Sequence, residues 1–359
     1  MVVAAVAVAA GAGAERDARE IIMTNILRTT LSRSACAAAL ALGLSAAPAA
    51  LAQDAGAPAA TEAPAPEAQG GAGEVERPEI EALAAASEPP SFDTPDAAVE
   101  AFKKALDAPD AGPLAELLGL DPAKLKADES TEETYEAIRQ GAARQLVLES
   151  KGDRRLLEIG DKLWPLPFPL VKWEDGKWAF DTYAGLEEIV NRRVGENELQ
   201  TIETMRAYVD AQEEYASEDR DEDGVEEFAQ KLISSPGKTD GIYWPTDEVN
   251  GESPAGDLSQ SELDDAAKGE GYFGYKYKIL TGQGDQIAGG AYDYIINANM
   301  IAGFGLLAWP ATYGETGVKT FAINQHGIVY ETDLGPATAA IVKYIDRFNP
   351  DSSWNVVAD

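Results

Sequence analysis

The chain has 359 residues, 45% of them hydrophobic, and a formal net charge of -33. That length supports more than one packed core, while the acidity excludes nucleic acid and anionic membrane surfaces as electrostatic partners, because phosphate binding needs clustered Lys and Arg. Cations and basic surfaces are the counterparts such a charge favours; the plain alternative is that it keeps an exported protein soluble and monomeric.

In chain order, residues 1–52 read as a targeting region. From Met23 onward a basic stretch with Arg28 and Arg33 precedes an apolar run over residues 35–44, and Ala50-Leu51-Ala52 fits the small-x-small cleavage rule before Gln53. Residues 1–22 read as a mis-assigned start ahead of that signal peptide. The expected product is periplasmic or secreted after cleavage following Ala52. Cys36, the only cysteine, lies inside the signal, so the mature chain is expected to carry no disulfide, thiolate nucleophile or Cys-ligated zinc. No later apolar run reaches the roughly 18 residues needed to span a bilayer, so no transmembrane span is expected in the mature chain.

Residues 53–90 are rich in Ala, Pro and Glu and carry too little apolar surface to offset the entropy of ordering, so they read as a disordered linker. Residues 91–185 read as an N-terminal α+β domain. Thr94 and Pro95 open a helix as N-cap and first helical residue, and Ala98, Phe102 and Leu106 recur at helical spacing with Val99 beside them. Residues 114–120 and 132–149 are predicted as further helices. Strands follow at 155–163, 168–174 and 177–181, the last two joined by the hairpin signal Asp175-Gly176. Helices followed by a curved antiparallel sheet resemble nuclear-transport-factor-2-like folds. The prolines of Trp164-Pro165-Leu166-Pro167-Phe168-Pro169 enforce an extended path. Its aromatic residues are expected to clamp an edge strand to the core, with presentation to a sugar or peptide as the alternative.

Residues 186–354 read as a C-terminal domain built from a long helix, an acidic loop and an antiparallel sheet. A first helical segment covers 186–193; Gly195 is expected to interrupt it and Asn197 to cap a second segment running to about residue 217. Leu199, Ile202, Met205, Val209, Gln212 and Ala216 form its mainly apolar stripe, flanked by Tyr208 and Tyr215. Strands are predicted over 273–281, 292–297, 304–309, 318–324 and 328–332, with a tight hairpin at Gln325-His326-Gly327 and a closing helix over 337–347. A long helix on an antiparallel meander resembles the heads of type IV pilins, although the apolar assembly helix of a pilin is absent.

The loop after the long helix carries the clearest chemical pattern. Asp219, Asp221 and Asp223 occupy positions 1, 3 and 5 of an EF-hand-like loop and Gly224 occupies position 6, so alternate carboxylates can converge on one cation while the glycine permits the sharp turn. Two departures stand out: position 12 is Gln230 rather than Glu, and Val225 falls at position 7. Glu227 at position 9, or Glu226, would supply the later ligand from a following helix. Asp219, Asp221, Asp223 and Glu227 are therefore the candidate metal ligands, calcium the candidate ion and its expected role structural; the alternative is a solvated acidic turn.

Other routes to catalysis have thin support. His326, the only histidine, falls in a hairpin turn, and no G-x-S-x-G elbow occurs in the mature chain. Ser235 and Lys238 match S-x-x-K by spacing alone, and Leu232 stands where a P-loop before Gly237-Lys238-Thr239 needs its first glycine. No carboxylate pair suited to glycoside hydrolysis can be picked out.

Several phrases recur in one order: Trp164-Pro165 with Phe168-Pro169, Trp178 to Thr182, Arg192-Arg193 before Asn197-Glu198, Ala207 to Gln212, the acidic loop, Pro236-Gly237-Lys238 to Trp244-Pro245, and Gly289 to Tyr294. Together, over about residues 92–354, they resemble the bacterial envelope family catalogued as domain of unknown function 2950. The resemblance implies export to the cell envelope and a two-part α+β structure, and it assigns no activity or catalytic residue. The expected function is that of an exported envelope protein, a non-catalytic binding or structural module whose partner is another envelope protein or a cell-wall component. The alternatives are a carboxylate-dependent hydrolase of a cell-wall or polysaccharide substrate, and a component of a pilus-like or secretion assembly.

Overall fold

The structure is a computed structural model that describes residues 79–125, 129–256 and 269–358. The signal-like region and most of the expected linker lie outside these residues. The first regular helix, α1 (Pro95–Leu106), begins as the sequence implies: the Thr94 side chain accepts from the Ala97 N–H at 3.2 Å, and Pro95 occupies the first turn. Ala98, Phe102, Ala105 and Leu106 are buried along one face. Two more helices, α2 (Gly112–Leu117) and α3 (Glu129–Arg144), close this layer, and Tyr135 on α3 donates its hydroxyl to the Ala108 carbonyl at 2.8 Å.

Helix α3 stops at Arg144, short of the expected 149, because residues 146–151 join a sheet. That sheet consists of β1 (Leu146–Lys151), β2 (Arg154–Ile159), β3 (Trp164–Pro165), β4 (Leu170–Lys172) and β5 (Trp178–Phe180). It is antiparallel in the order β1-β2-β4-β5, and β3 shares with β4 the second edge of β2. The chain leaves the ladder between β3 and β4, where Pro165, Pro167 and Pro169 have no N–H to donate. Trp164, Leu166 and Phe168 are buried, so the aromatic faces of this stretch serve the core rather than a ligand.

Helix α4 (Thr182–Tyr215) is one uninterrupted run of 34 residues capped by Asp181, whose carboxylate accepts from the Ala184 N–H at 3.0 Å. The expected break at Gly195 does not occur. Asn197 does not cap a second segment; its amide donates to the Thr316 carbonyl at 2.8 Å. Two apolar clusters divide the helix. Leu186, Ile189 and Val190 join Phe102, Leu157, Leu170 and Phe180 in the first, while Ile202, Met205, Tyr208, Val209 and Tyr215 join Phe304, Leu306, Phe321 and Ile323 in the second. Leu199, expected on the apolar stripe, is instead 66% exposed, whereas Tyr208 and Tyr215, expected to flank the stripe, are buried. At Gly185 a Cβ would collide with the Phe168 ring, so glycine there lets α4 approach the first sheet closely.

The second half is a five-stranded antiparallel sheet ordered β15-β13-β12-β11-β6. Its strands are β6 (Tyr275–Leu280), β11 (Gly305–Pro310), β12 (Thr320–Asn324), β13 (Tyr330–Thr332) and β15 (Asn355–Val356). One face meets α4. The other carries Leu280, Leu307 and Ala322 against Val342 and Phe348, and Lys278 on β6 pairs with Asp346 beyond them. The expected closing helix reduces to α5 (Thr338–Ile341) and one 3-10 turn, after which β14 (Arg347–Phe348) pairs in parallel with β7 (Gly282–Gln283).

The strand expected over 292–297 is two short ones, β8 (Tyr292–Asp293) beside β7 and β9 (Ile295–Ile296), which forms a hairpin with β10 (Asn299–Met300). Helices with antiparallel sheets make this an α+β protein. Among the described residues no helix is long and apolar enough to cross a membrane.

Candidate metal site

Beyond Tyr215 the chain must satisfy the last carbonyls of a long helix. Arg220 does part of this, donating Nε to the Tyr215 carbonyl at 3.0 Å, with its guanidinium stacked over the rings of Tyr215 and Trp244 at 5.1 and 5.3 Å. Its ion pair is with Glu218. The one cation inside the acidic stretch is thereby turned toward the core and away from the aspartates.

Asp219, Asp221 and Asp223 are exposed and each offers a carboxylate oxygen within 4.8 Å of the others. Local hydrogen bonds hold that arrangement. Asp219 accepts from the Gly224 N–H at 2.8 Å, Asp221 from the Asp223 N–H at 3.3 Å and Asp223 from the Val225 N–H at 2.8 Å. Left-handed backbone at Glu222 (φ 63°) and Gly224 (φ 89°) turns the loop tightly enough to gather them. No ion pair among the described residues involves these three aspartates. Three like charges gathered beside the negative end of a long helix dipole repel one another, and a bound cation would relieve that repulsion.

Glu227 does not belong to that group of three. Residues 225–232 are not helical, which corrects the expected helix after the loop, and the Glu227 carboxylate accepts from the Met300 N–H at 2.9 Å. The segment is held instead by other parts of the fold. The Asp223 carboxylate also accepts from the Asn299 side-chain amide at 2.7 Å, the Gln230 amide donates to the Ala298 carbonyl at 2.6 Å, and the Phe228 N–H donates to the Met300 carbonyl at 2.9 Å. The acidic segment thus grips the β9–β10 hairpin, whose turn residues Asn297 and Ala298 both have positive φ.

On its other side Gln212, fully buried on α4, accepts from the Ala229 N–H at 2.8 Å and donates to the Ala229 carbonyl at 2.9 Å. A side-chain amide replaces a strand partner there. Tyr215 lies close by; burial, with Glu227 and then Asp240 and Asp221 adding to it, pushes its hydroxyl up to about 12.

The sequence match of Ser235 to Lys238 is not an assembled pair. Ser235 meets Lys231 and Asp240 instead: Lys231 Nζ lies 2.8 Å from Ser235 Oγ and 2.7 Å from Asp240 Oδ2, and Ser235 Oγ donates to Asp240 at 3.0 Å. This resembles a nucleophile with a base, but the chemistry runs the wrong way. The desolvation that would raise Asp240 is outweighed by Lys231 and Ser235, which hold it at about 2. So acidic a carboxylate is too weak a base to activate the Ser235 hydroxyl. The trio closes the 231–243 turn. His326 is exposed in its hairpin turn, as expected.

No curated protein and no solved structure matches the chain. The family model described as "Protein of unknown function (DUF2950)" matches residues 90–357, and the chain belongs to that family.

Proposed function

We propose that this is an exported cell-envelope protein, periplasmic or secreted, that acts as a non-catalytic binding or structural module for another envelope protein or a cell-wall component, with a calcium ion stabilising its acidic segment. The observation that supports the ion is the convergence of Asp219, Asp221 and Asp223 within 4.8 Å, with Arg220 directed elsewhere. An all-oxygen donor set of this charge suits a hard cation. Glu227, held on Met300, stands outside the three aspartates, and its second carboxylate oxygen would have to turn toward them to act as the later ligand. Its placement between the end of α4 and the β9–β10 hairpin supports a role in fixing the fold, because a bound ion there would couple the helix to the hairpin.

Calorimetry and thermal melting of the full mature chain test this reading. Calcium gives a heat of binding and raises the melting temperature, and Asp221→Asn removes both effects. No heat at millimolar calcium, or an equal response in Asp221→Asn, rejects it.

A component of a pilus-like or secretion assembly is the second reading, favoured by α4 lying on an antiparallel five-stranded sheet. The likeness of the second half to pilin heads, and of the first half to nuclear-transport-factor-2-like folds, belongs with this proposal. Crosslinking in intact cells that recovers only monomer counts against it.

A further inference from the structure

Midway along α4, where the helix passes from the first apolar cluster to the second, Arg193 is only 7% exposed. A buried guanidinium is costly unless its charge and its five N–H donors find partners. Here Nε donates to the Glu315 carbonyl at 2.8 Å, and no partner for the terminal nitrogens occurs among the described residues. No carboxylate lies within ion-pairing distance of it there; Glu315 is the nearest acidic influence, and burial holds Arg193 below its ordinary value. Among the described residues, the enclosed side-chain polar atoms without a partner are Thr134 Oγ1, Tyr294 Oη, Thr320 Oγ1 and Gln325 Oε1. The Arg193 nitrogens are not among them, so the guanidinium is not wholly enclosed.

Its polar neighbours on the helix are engaged. Arg192 donates to Glu188 at 2.7 Å and to the Pro165 carbonyl at 2.9 Å, and stacks over Trp164. Asn197 donates to Thr316, and Glu198 accepts from the Val318 and Lys319 N–H groups, both at 2.9 Å. These bonds fix the 315–319 segment across α4, so the guanidinium is held in one place with its two terminal nitrogens unpartnered among the described residues. In a chain with 62 acidic residues, a buried arginine without a carboxylate is unusual.

We propose that Arg193 is a binding site for a carboxylate group of a small ligand, received end-on by its two terminal nitrogens. A planar carboxylate matches two parallel N–H donors, and partial burial strengthens such a pair relative to water. The proposal is independent of calcium in the acidic loop.

The test follows the arginine side-chain N–H signals of the full mature chain by nuclear magnetic resonance, with sodium acetate replacing sodium chloride at constant ionic strength and phosphate in a parallel series. Acetate moves the Arg193 signals saturably, and Arg193→Lys weakens acetate binding, read by calorimetry, by about tenfold, because an ammonium cannot present the fork. Three results overturn the proposal: no saturable shift with acetate, a response to phosphate alone, or an acetate response that appears only in Glu315→Gln. The last would make the Glu315 carboxylate the counter-ion. The wild-type titration decides the matter even if Arg193→Lys fails to fold.

Discussion

In the first half of α4, Leu186, Ile189 and Val190 share a cluster with Phe102, Leu157 and Leu170, whereas in the second half Gln212, Tyr208 and Tyr215 add hydrogen bonds to the same burial. The first region is held by non-directional burial and tolerates approximate fit. The second contains irregular chain, residues 217–243, outside any regular strand or helix, so side chains such as Gln212 share with scattered backbone bonds the work of satisfying it. Polar contacts of that kind are directional, and losing one partner leaves the other buried and bare.

Substitutions on the two sides of the helix should therefore fail differently. Phe102→Ala, in the first cluster, should cost about 3–5 kcal/mol by opening a cavity, read as a lower denaturant midpoint. Gln212→Leu keeps the apolar bulk but strands the Ala229 N–H and carbonyl, and should cost about 2–4 kcal/mol. It should also speed amide exchange at Ala229, an effect Phe102→Ala should not share; equal exchange in both would erase the distinction drawn here. Between the clusters, Gly195→Ala meets nothing within 4 Å and sits in a continuous helix. It should stabilise the protein by about 0.5–1 kcal/mol, whereas a real break at Gly195 would make the same change neutral or harmful.

The smallest effect concerns pH. Asp240 is held at about 2 in the folded chain, below its unfolded value, so its contribution is present above about pH 4 and is lost as pH falls toward 2. Asp240→Asn should flatten the stability profile in that window and leave neutral pH little changed, because the pair with Lys231 is largely exposed.

The same contrast explains what the sequence made legible. The period of Ala98, Phe102 and Leu106, the Thr94-Pro95 cap and the Asp175-Gly176 hairpin are local signals, and each element formed where its signal lies. Helix α3 ran short because Leu146, Val147 and Leu148 fit a strand as well as a helix turn, and pairing with β2 decided between them. Gly195 misled because a glycine weakens a helix by only about 1 kcal/mol, less than packing on either side supplies.

At the site, the alternation of Asp219, Asp221 and Asp223 was readable because all three lie within one turn of chain. The attachment of Asp223 to Asn299 and of Glu227 to Met300 spans more than 70 residues, and nothing in either segment alone announces it. Arg193 was visible only as part of a phrase; its burial depends on the 315–319 segment, far along the chain.

Amide exchange at Met300 and Ala229, with and without calcium, tests most directly the claim that the acidic segment is a cation-stabilised joint between α4 and the β9–β10 hairpin. At a calcium concentration about 100 times its dissociation constant, linkage adds about 2.7 kcal/mol, so both amides should exchange roughly a hundredfold more slowly. Exchange at both sites unchanged by calcium would contradict the account.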